Sequence, residues 1–336
     1  MGLPYSNQYA ELLGGNAWIK RSGSWEPTHS IHAKDSGGTW RRAKQHYIKS
    51  GGTWREVHKG NVYRFQFDLN NNNAGSSAKT VNTRWMECTG SNTDDLQTGS
   101  YNTIAADGYT FDLDTALSYS GYNTQGGADV YGVVYINSWQ RNVTIPNITG
   151  GSKVLIVVGG GRRIMGKGGN GSSGQNTSNT NGGQNGQTAL YVREESLLIN
   201  NGQIAGGGGG GGGGRGGQCT YQNTGQYGCM KGSQCQATYQ NFSTSQGGGG
   251  GGGIGYPGGQ RGTGGNNGQN GSVNAPGNGG GASGCGSVSG GRGGGWGSSA
   301  QGGGGRGTPG SGGNAIDGVS YINKLTSGTI NGGQVN

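Results

Sequence analysis

The chain has 336 residues, 84 of them glycine, and only 28% are hydrophobic, where an ordinary soluble domain holds about 7% glycine and roughly 45–50% apolar residues. The imbalance is one-sided: 66 glycines fall in 151–336 against 18 in 1–150, and the second half carries eleven lysines and arginines against three acids, most of the net charge of +9. That half cannot fill a side-chain core or be mostly α-helix, since each interior glycine costs about 1 kcal/mol relative to alanine. A membrane span is excluded, because the longest apolar run is Val154–Val158 and about 20 residues are needed.

Three copies of a short unit open the chain. They read Ala17-Trp18-Ile19-Lys20…Ser24-Trp25, then Ile31-His32-Ala33-Lys34…Thr39-Trp40, then Tyr47-Ile48-Lys49…Thr53-Trp54. Each predicts a strand, a glycine-containing turn and a second strand, a small hairpin. Two strands alone are marginal in water, so 1–65 reads as an attachment module that leans on neighbours. Its tryptophans Trp18, Trp25, Trp40 and Trp54 are the candidate contacts to neighbouring copies or a partner chain. Residues 66–158 follow as a β-rich domain, opened by the loop Asn70–Ser77 and rich in β-branched and aromatic runs such as Tyr109–Leu113, Val130–Ile136, Asn142–Pro146 and Val154–Val158.

From 159 to 336 glycine dominates, with uninterrupted runs at 206–214, 247–253 and 302–305. Collagen is dismissed by the lack of a strict triplet and by only six prolines. Two readings stay open on composition. Gly/Ser-rich chains behave as random coils, which gives a linker. Alternatively, extended threefold helices of about 3.1 Å rise, lacking side chains, pack closely and satisfy one another's outward N–H and C=O groups.

Candidate sites are few. The histidines His29, His32, His46 and His58 sit at repeat positions, and Asp112 and Asp114 read as turn or cap residues, so no metal, cofactor or catalytic constellation is expected and the chain is read as a non-enzyme. Cys219, Cys229 and Cys235 leave a disulfide open, and with no signal peptide ahead of them synthesis in a reducing cytosol is expected. Between the first two glycine runs lies an aromatic, polar insertion, Gln218–Gln246. Aromatics and arginine give large contact area at recognition surfaces. Tyr221, Tyr227, Tyr239, Phe242, Tyr256 and Trp296, with Arg215, are therefore the candidate receptor-binding residues, unless they pack on one another to order the loops.

The stretch Tyr191–Ala205, ending Asn200-Asn201-Gly202-Gln203-Ile204-Ala205 and running straight into nine glycines, resembles the glycine-rich tail-fibre-tip adhesins of T-even-type bacteriophages. The closing Gly313–Val319 and Gly328–Gly332 are similar to the way such domains end, and the Gly-Gly-Thr-Trp-Arg hairpins look like small modules of phage tail proteins. The residues read above predict a first half that is mainly β, with little or no α-helix in the chain. The resemblance implies that a polyglycine-II helix sandwich with long loops fills 159–336. It further implies a virion protein, made in the host cytoplasm, that recognises a bacterial outer-membrane protein or glycan without membrane insertion. The N-terminal half would dock on other tail or fibre proteins, with the chain either a homotrimer or a lone tip on a trimeric fibre. Two rivals remain: a purely structural tail or baseplate component, and a glycine-rich nucleic-acid-binding protein. The latter is disfavoured because Arg215, Arg261, Arg292 and Arg306 stand singly rather than in Arg-Gly-Gly clusters.

Overall fold

The computed structural model describes residues 17–21, 24–28, 32–42, 45–59, 62–69, 79–88, 97–103, 110–120, 122, 129–148, 152–174, 182–228, 234–284, 287–304 and 307–336, with the backbone alone described within 17–33, 41–48, 55–64, 79–103 and 219–245. Three separate antiparallel pairs come first: β1 (Ala17–Arg21) with β2 (Ser24–Thr28), β3 (His32–Lys34) with β4 (Trp40–Arg42), and β5 (Gln45–Ser50) with β6 (Thr53–Lys59). In the second, Asp35 Oδ1 accepts the N–H groups of Gly37 and Thr39 at 3.0 and 2.9 Å. The third turns on Gly51 and Gly52, both at positive φ (58° and 82°), the two-residue turn whose twist suits a hairpin.

The body of the molecule is a parallel β coil. One run of parallel strands contains β7 (Val62–Leu69), β11 (Asp129–Ile136), β13 (Lys153–Val158), β16 (Ser196–Ala205) and β20 (Ile322–Asn331). A second contains β10 (Thr110–Asp112), β12 (Gln140–Ile145), β15 (Leu190–Val192), β19 (Ile316–Asp317) and β21 (Gln334–Val335). The chain alternates between the two, while β14 (Arg163–Met165) bridges β12 to the end of β16. β8 (Lys79–Cys88) and β9 (Gln97–Thr103) extend the first run antiparallel from β7. One apolar core joins both runs, with Val134, Ile156 and Leu198 from the first and Val143, Leu190 and Ile316 from the second. Stacked Phe65 and Phe67 and edge-on Phe111 fill its β7 end.

The helix α1 (Leu113–Tyr119) buries Leu113, Ala116 and Leu117, and Asp112 caps it by accepting the Thr115 N–H at 2.9 Å. The expected strand Tyr109–Leu113 therefore stops at Asp112, where the cap outcompetes a continued ladder. Among the described residues no helix is long and apolar enough to cross a membrane.

The coil does not end at residue 158. β14, β15, β16 and β19–β21 all belong to it, so the expected boundary there is corrected. The glycine-rich sequence is two excursions out of the coil: 166–189 leaves after β14 and returns at β15, and 206–315 leaves after β16 and returns at β19. Arg193, just past β15, fastens the return point. It donates to Asp317 Oδ1 at 2.8 Å while lying over the Tyr191 ring at 3.9 Å, and the bond to Asp317 raises its already high pKa.

Candidate functional site

Ten extended segments lie side by side among the described residues: 166–174, 182–189, 206–215, 247–255, 258–264, 266–272, 275–282, 288–295, 298–304 and 307–314. Their bonding repeats every three residues. The N–H groups of Gly207 and Gly210 donate to 182–189. Those of Gly208, Gly211 and Gly214 donate to Ile254, Gly251 and Gly248, and those of Gly209, Gly212 and Arg215 to Ser298, Gln301 and Gly304. The carbonyls of the same segment accept from three further neighbours, at Gly169 and Ser172, at Gly310 and Gly313, and at Val288, Gly291, Gly294 and Gly297. Six neighbours thus surround 206–215. The 247–255 segment is enclosed the same way, with 206–215, 166–174, 258–264, 266–272, 275–282 and 288–295 around it.

Sequence dictates this packing. A Cβ on any residue of Gly206–Gly214 would sit 1.9–2.5 Å from a backbone atom of a neighbour, and on Gly247–Gly253 1.9–2.2 Å, distances no real Cβ tolerates. Larger residues stand on the outside. There Asn170, Asn185 and Asn270 accept the outward N–H groups of Gln260, Ser311 and Arg261, each at 2.8 Å. Buried backbone groups must be paired, and here other segments and rim carboxamides do the pairing.

Alternating direction gives the array two ends. At the near end, against the coil, lie the connections at 254–258, 272–275 and 295–298. At the far end lie the described residues Gly174 and Gly182, Gly216 and Gln246, Gly265, Gly284 and Ser287, and Gly304 and Gly307, where the segments stop or turn. The long insertion belongs to the far end. Its β17 (Gly217–Gly228) and β18 (Gln234–Ser245) form an antiparallel ribbon of 12-residue strands, about 40 Å at 3.4 Å per residue. The ribbon grows directly out of the two enclosed segments. Its register places Tyr221 opposite Asn241, Tyr239 opposite Asn223 and Tyr227 opposite Cys235. With the two-residue period of a strand, these three tyrosines occupy positions of one face, and Phe242, opposite Thr220, a position of the other.

The side chains of Tyr221, Tyr227, Tyr239 and Phe242, like those of Trp18 and Trp25, lie outside the described residues, as does Cys229 entirely. Cys219 pairs with Ser243, eight register positions from the Tyr227–Cys235 pair. That separates Cys219 from Cys235 by roughly 26 Å, far beyond the Cα distance a disulfide spans. Arg215 is exposed at the base of the ribbon.

Two candidates lie at the near end of the array, away from the ribbon. Tyr256 is 7% exposed and stacks edge-on with Trp139 at 6.1 Å, with Arg163 over the Trp139 ring at 5.0 Å. It seals the near end against the coil and is not a surface contact. Trp296 is half-buried at the near end too, beside Gly297, which abuts Gly332 of the coil. Trp139 and Arg163, which sequence reasoning missed, complete this seal. The apolar stretch Ile254-Gly255-Tyr256-Pro257 is the signal that distinguishes it from the polar far-end connections. Among the described hairpin residues, Trp40 and Trp54 are 60% and 64% exposed.

No curated protein sequence matches the chain. It is similar to the crystal structure of the gp37–gp38 adhesin tip complex of the bacteriophage S16 long tail fibre, at 21% identity over 67% of this chain and 78% of that one, with a TM-score of 0.40. The family model described as phage tail fibre adhesin Gp38 matches residues 100–335, which spans the coil from β10 onward together with the whole glycine array. By that match over more than two thirds of its length, the chain belongs to the phage tail fibre adhesin Gp38 family.

Proposed function

We propose that the far end of the array is the surface through which this receptor-binding adhesin contacts its bacterial host. The 217–245 ribbon is the principal contact, and Arg215 adds a charge at its base. The observation that carries the reading is where the ribbon is rooted. Both strands emerge from the two segments that neighbours enclose on all six sides, so a long aromatic projection stands on the most constrained backbone in the molecule. A recognition element needs such a footing, because ordering a flexible loop on binding costs affinity.

The three-residue bonding period supports reading the array as polyglycine-II. The near end faces the coil, and the tryptophan hairpins at the other end of the chain supply attachment to tail or fibre proteins. The chain acts by binding, without a catalytic step, as part of the tail of a particle assembled in the host cell.

The test replaces 218–244 with a short glycine-asparagine turn in the full chain and measures adsorption of the purified protein to host cells. Loss of adsorption with unchanged thermal melting supports the reading. Unchanged adsorption overturns it in favour of a structural tail component.

A further inference from the structure

Charge divides the molecule along the same lines as glycine. The two excursions, 166–189 and 206–315, hold six basic residues, Lys167, Arg215, Lys231, Arg261, Arg292 and Arg306, and not one acid; all 15 acids of the chain lie outside them. In the coil, cations meet carboxylates, as in the Lys153–Glu195 and Arg193–Asp317 pairs at 2.9 and 2.8 Å. In the array, Arg215, Arg261 and Arg292 are exposed, with no carboxylate of the array to meet them.

The rim shows that packing is not what excludes acids. Asn170, Asn185 and Asn270 accept the backbone N–H groups of Gln260, Ser311 and Arg261 at 2.8 Å, and Asn267 accepts that of Gly264 at 3.2 Å. All four use Oδ1, and their Nδ2 groups donate to no protein atom among the described residues. An aspartate oxygen would accept the same bond, and more strongly, since charge-assisted bonds are the stronger ones. Solubility does not account for the choice either, because added Asp and Glu serve it better than added Lys and Arg. Four positions that would keep their bond with a carboxylate carry a neutral carboxamide instead.

Nor are the cations gathered into one patch. The ten segments stack as three rows: 182–189, 166–174 and 258–264; then 307–314, 206–215, 247–255 and 266–272; then 298–304, 288–295 and 275–282. Arg261 stands in one outer row, Arg292 in the other, and Arg215 at the far end of the middle row. A protein that reads nucleic acid gathers its cations on one face or along one stripe. Cations on both flanks, with no acid between them, suit a body immersed in a layer of polyanion.

We propose that the flanks of the array are a contact for phosphate-bearing glycan on the bacterial outer surface. The array sinks among the phosphates of that layer, which its exposed cations attract and no carboxylate repels, and so brings the ribbon to its receptor. Attraction of this kind raises the rate of encounter more than the final affinity, and salt screens it. The inference rests on the reading that the far end faces the host, and adds to it a second, separable surface.

The test uses the purified full chain and phosphatidylcholine vesicles carrying host lipopolysaccharide, either intact or stripped of phosphate with hydrofluoric acid. Co-sedimentation with intact lipopolysaccharide is expected to weaken about tenfold from low to physiological salt, and about tenfold on removal of phosphate. The variant Asn170→Asp, Asn185→Asp, Asn267→Asp, Asn270→Asp keeps every rim acceptor and lowers the net charge of the array from +6 to +2. It is expected to adsorb to host cells about tenfold more slowly, to the same final level, with its melting midpoint unchanged or raised. The pair Arg261→Gln and Arg292→Gln, which leaves the rim bonds untouched, slows adsorption about threefold and decides the matter if the aspartate variant melts lower. Replacing 218–244 abolishes adsorption but leaves most lipopolysaccharide binding, so loss of the receptor surface is read apart from loss of this one. Wild-type adsorption rates in both charge variants, or equal binding to dephosphorylated lipopolysaccharide, overturn the inference. Equally strong binding to phosphatidylglycerol vesicles or to duplex DNA at matched phosphate overturns it in favour of a lipid headgroup or of nucleic acid.

Discussion

The β coil and the glycine array solve one problem by opposite means. In the coil, strands contribute Val134, Ile156, Leu198, Val143 and Leu190 to a shared apolar interior, and burial at about 25 cal/mol per Å² supplies the driving force. In the array there is almost no side chain to bury, and cohesion comes from backbone N–H···O=C bonds around each segment. Each such bond contributes only about 0.5–1.5 kcal/mol net, and ordering glycine costs more entropy than ordering any other residue. The contrast teaches that a rigid body does not require an oily centre if the main chains approach closely enough to satisfy one another completely. The array then depends on the absence of Cβ atoms as strictly as the coil depends on their presence.

Substitutions break this comparison at points of decreasing severity. Gly210→Val puts a branched side chain where a Cβ alone would lie 1.9 Å from the Asn170 carbonyl oxygen. It is expected to cost about 4 kcal/mol or more and to abolish cooperative melting of the array, as seen by calorimetry, while the coil transition persists. Ile156→Ala, at the centre of the coil, opens a cavity and costs about 2–5 kcal/mol, moving the other transition. Asn170→Ala leaves both bodies intact but strips the acceptor from the Gln260 N–H; a loss of about 0.5–1.5 kcal/mol is expected, read as a small shift in the array's melting midpoint. Gly295→Ala sharpens the comparison from the other side. No atom lies within 4 Å of its Cβ position, so a change within about 0.5 kcal/mol is expected. Were Gly210→Val and Gly295→Ala equally mild, close approach of backbones would not be what holds the array together.

Much of this was legible in the chain itself. Runs such as Gly206–Gly214 narrow the choice to close backbone packing or a flexible linker, and Trp25, Trp40 and Trp54 mark the hairpins through their spacing. The end of the array to which each connection belongs was not legible. Tyr256 and Trp296 look like loop aromatics equivalent to Tyr221, but direction alternates from segment to segment, and counting those segments requires knowing where each turns. Residues 258–304 are glycine-rich almost throughout, so their turns carry little local signal. The coil boundary was hidden for a related reason. β19, only two residues long, pairs with β15 more than a hundred residues earlier in the chain, and no local propensity reports a contact made across so long an excursion.

The way both excursions leave the coil and come back to it has a mechanical consequence. Strands β14 and β16 run on into the array without a joint, and the second excursion returns at β19, next to the β15 that receives the first. With the ribbon as the proposed host contact, a virus particle pulled away from its cell would load the ribbon's two strands along their length. That tension passes into two segments whose amides are bonded sideways to neighbours on every side, so many bonds must slide together before any one yields. Peeling, which opens bonds one at a time, has no free edge from which to begin at the centre of the bundle.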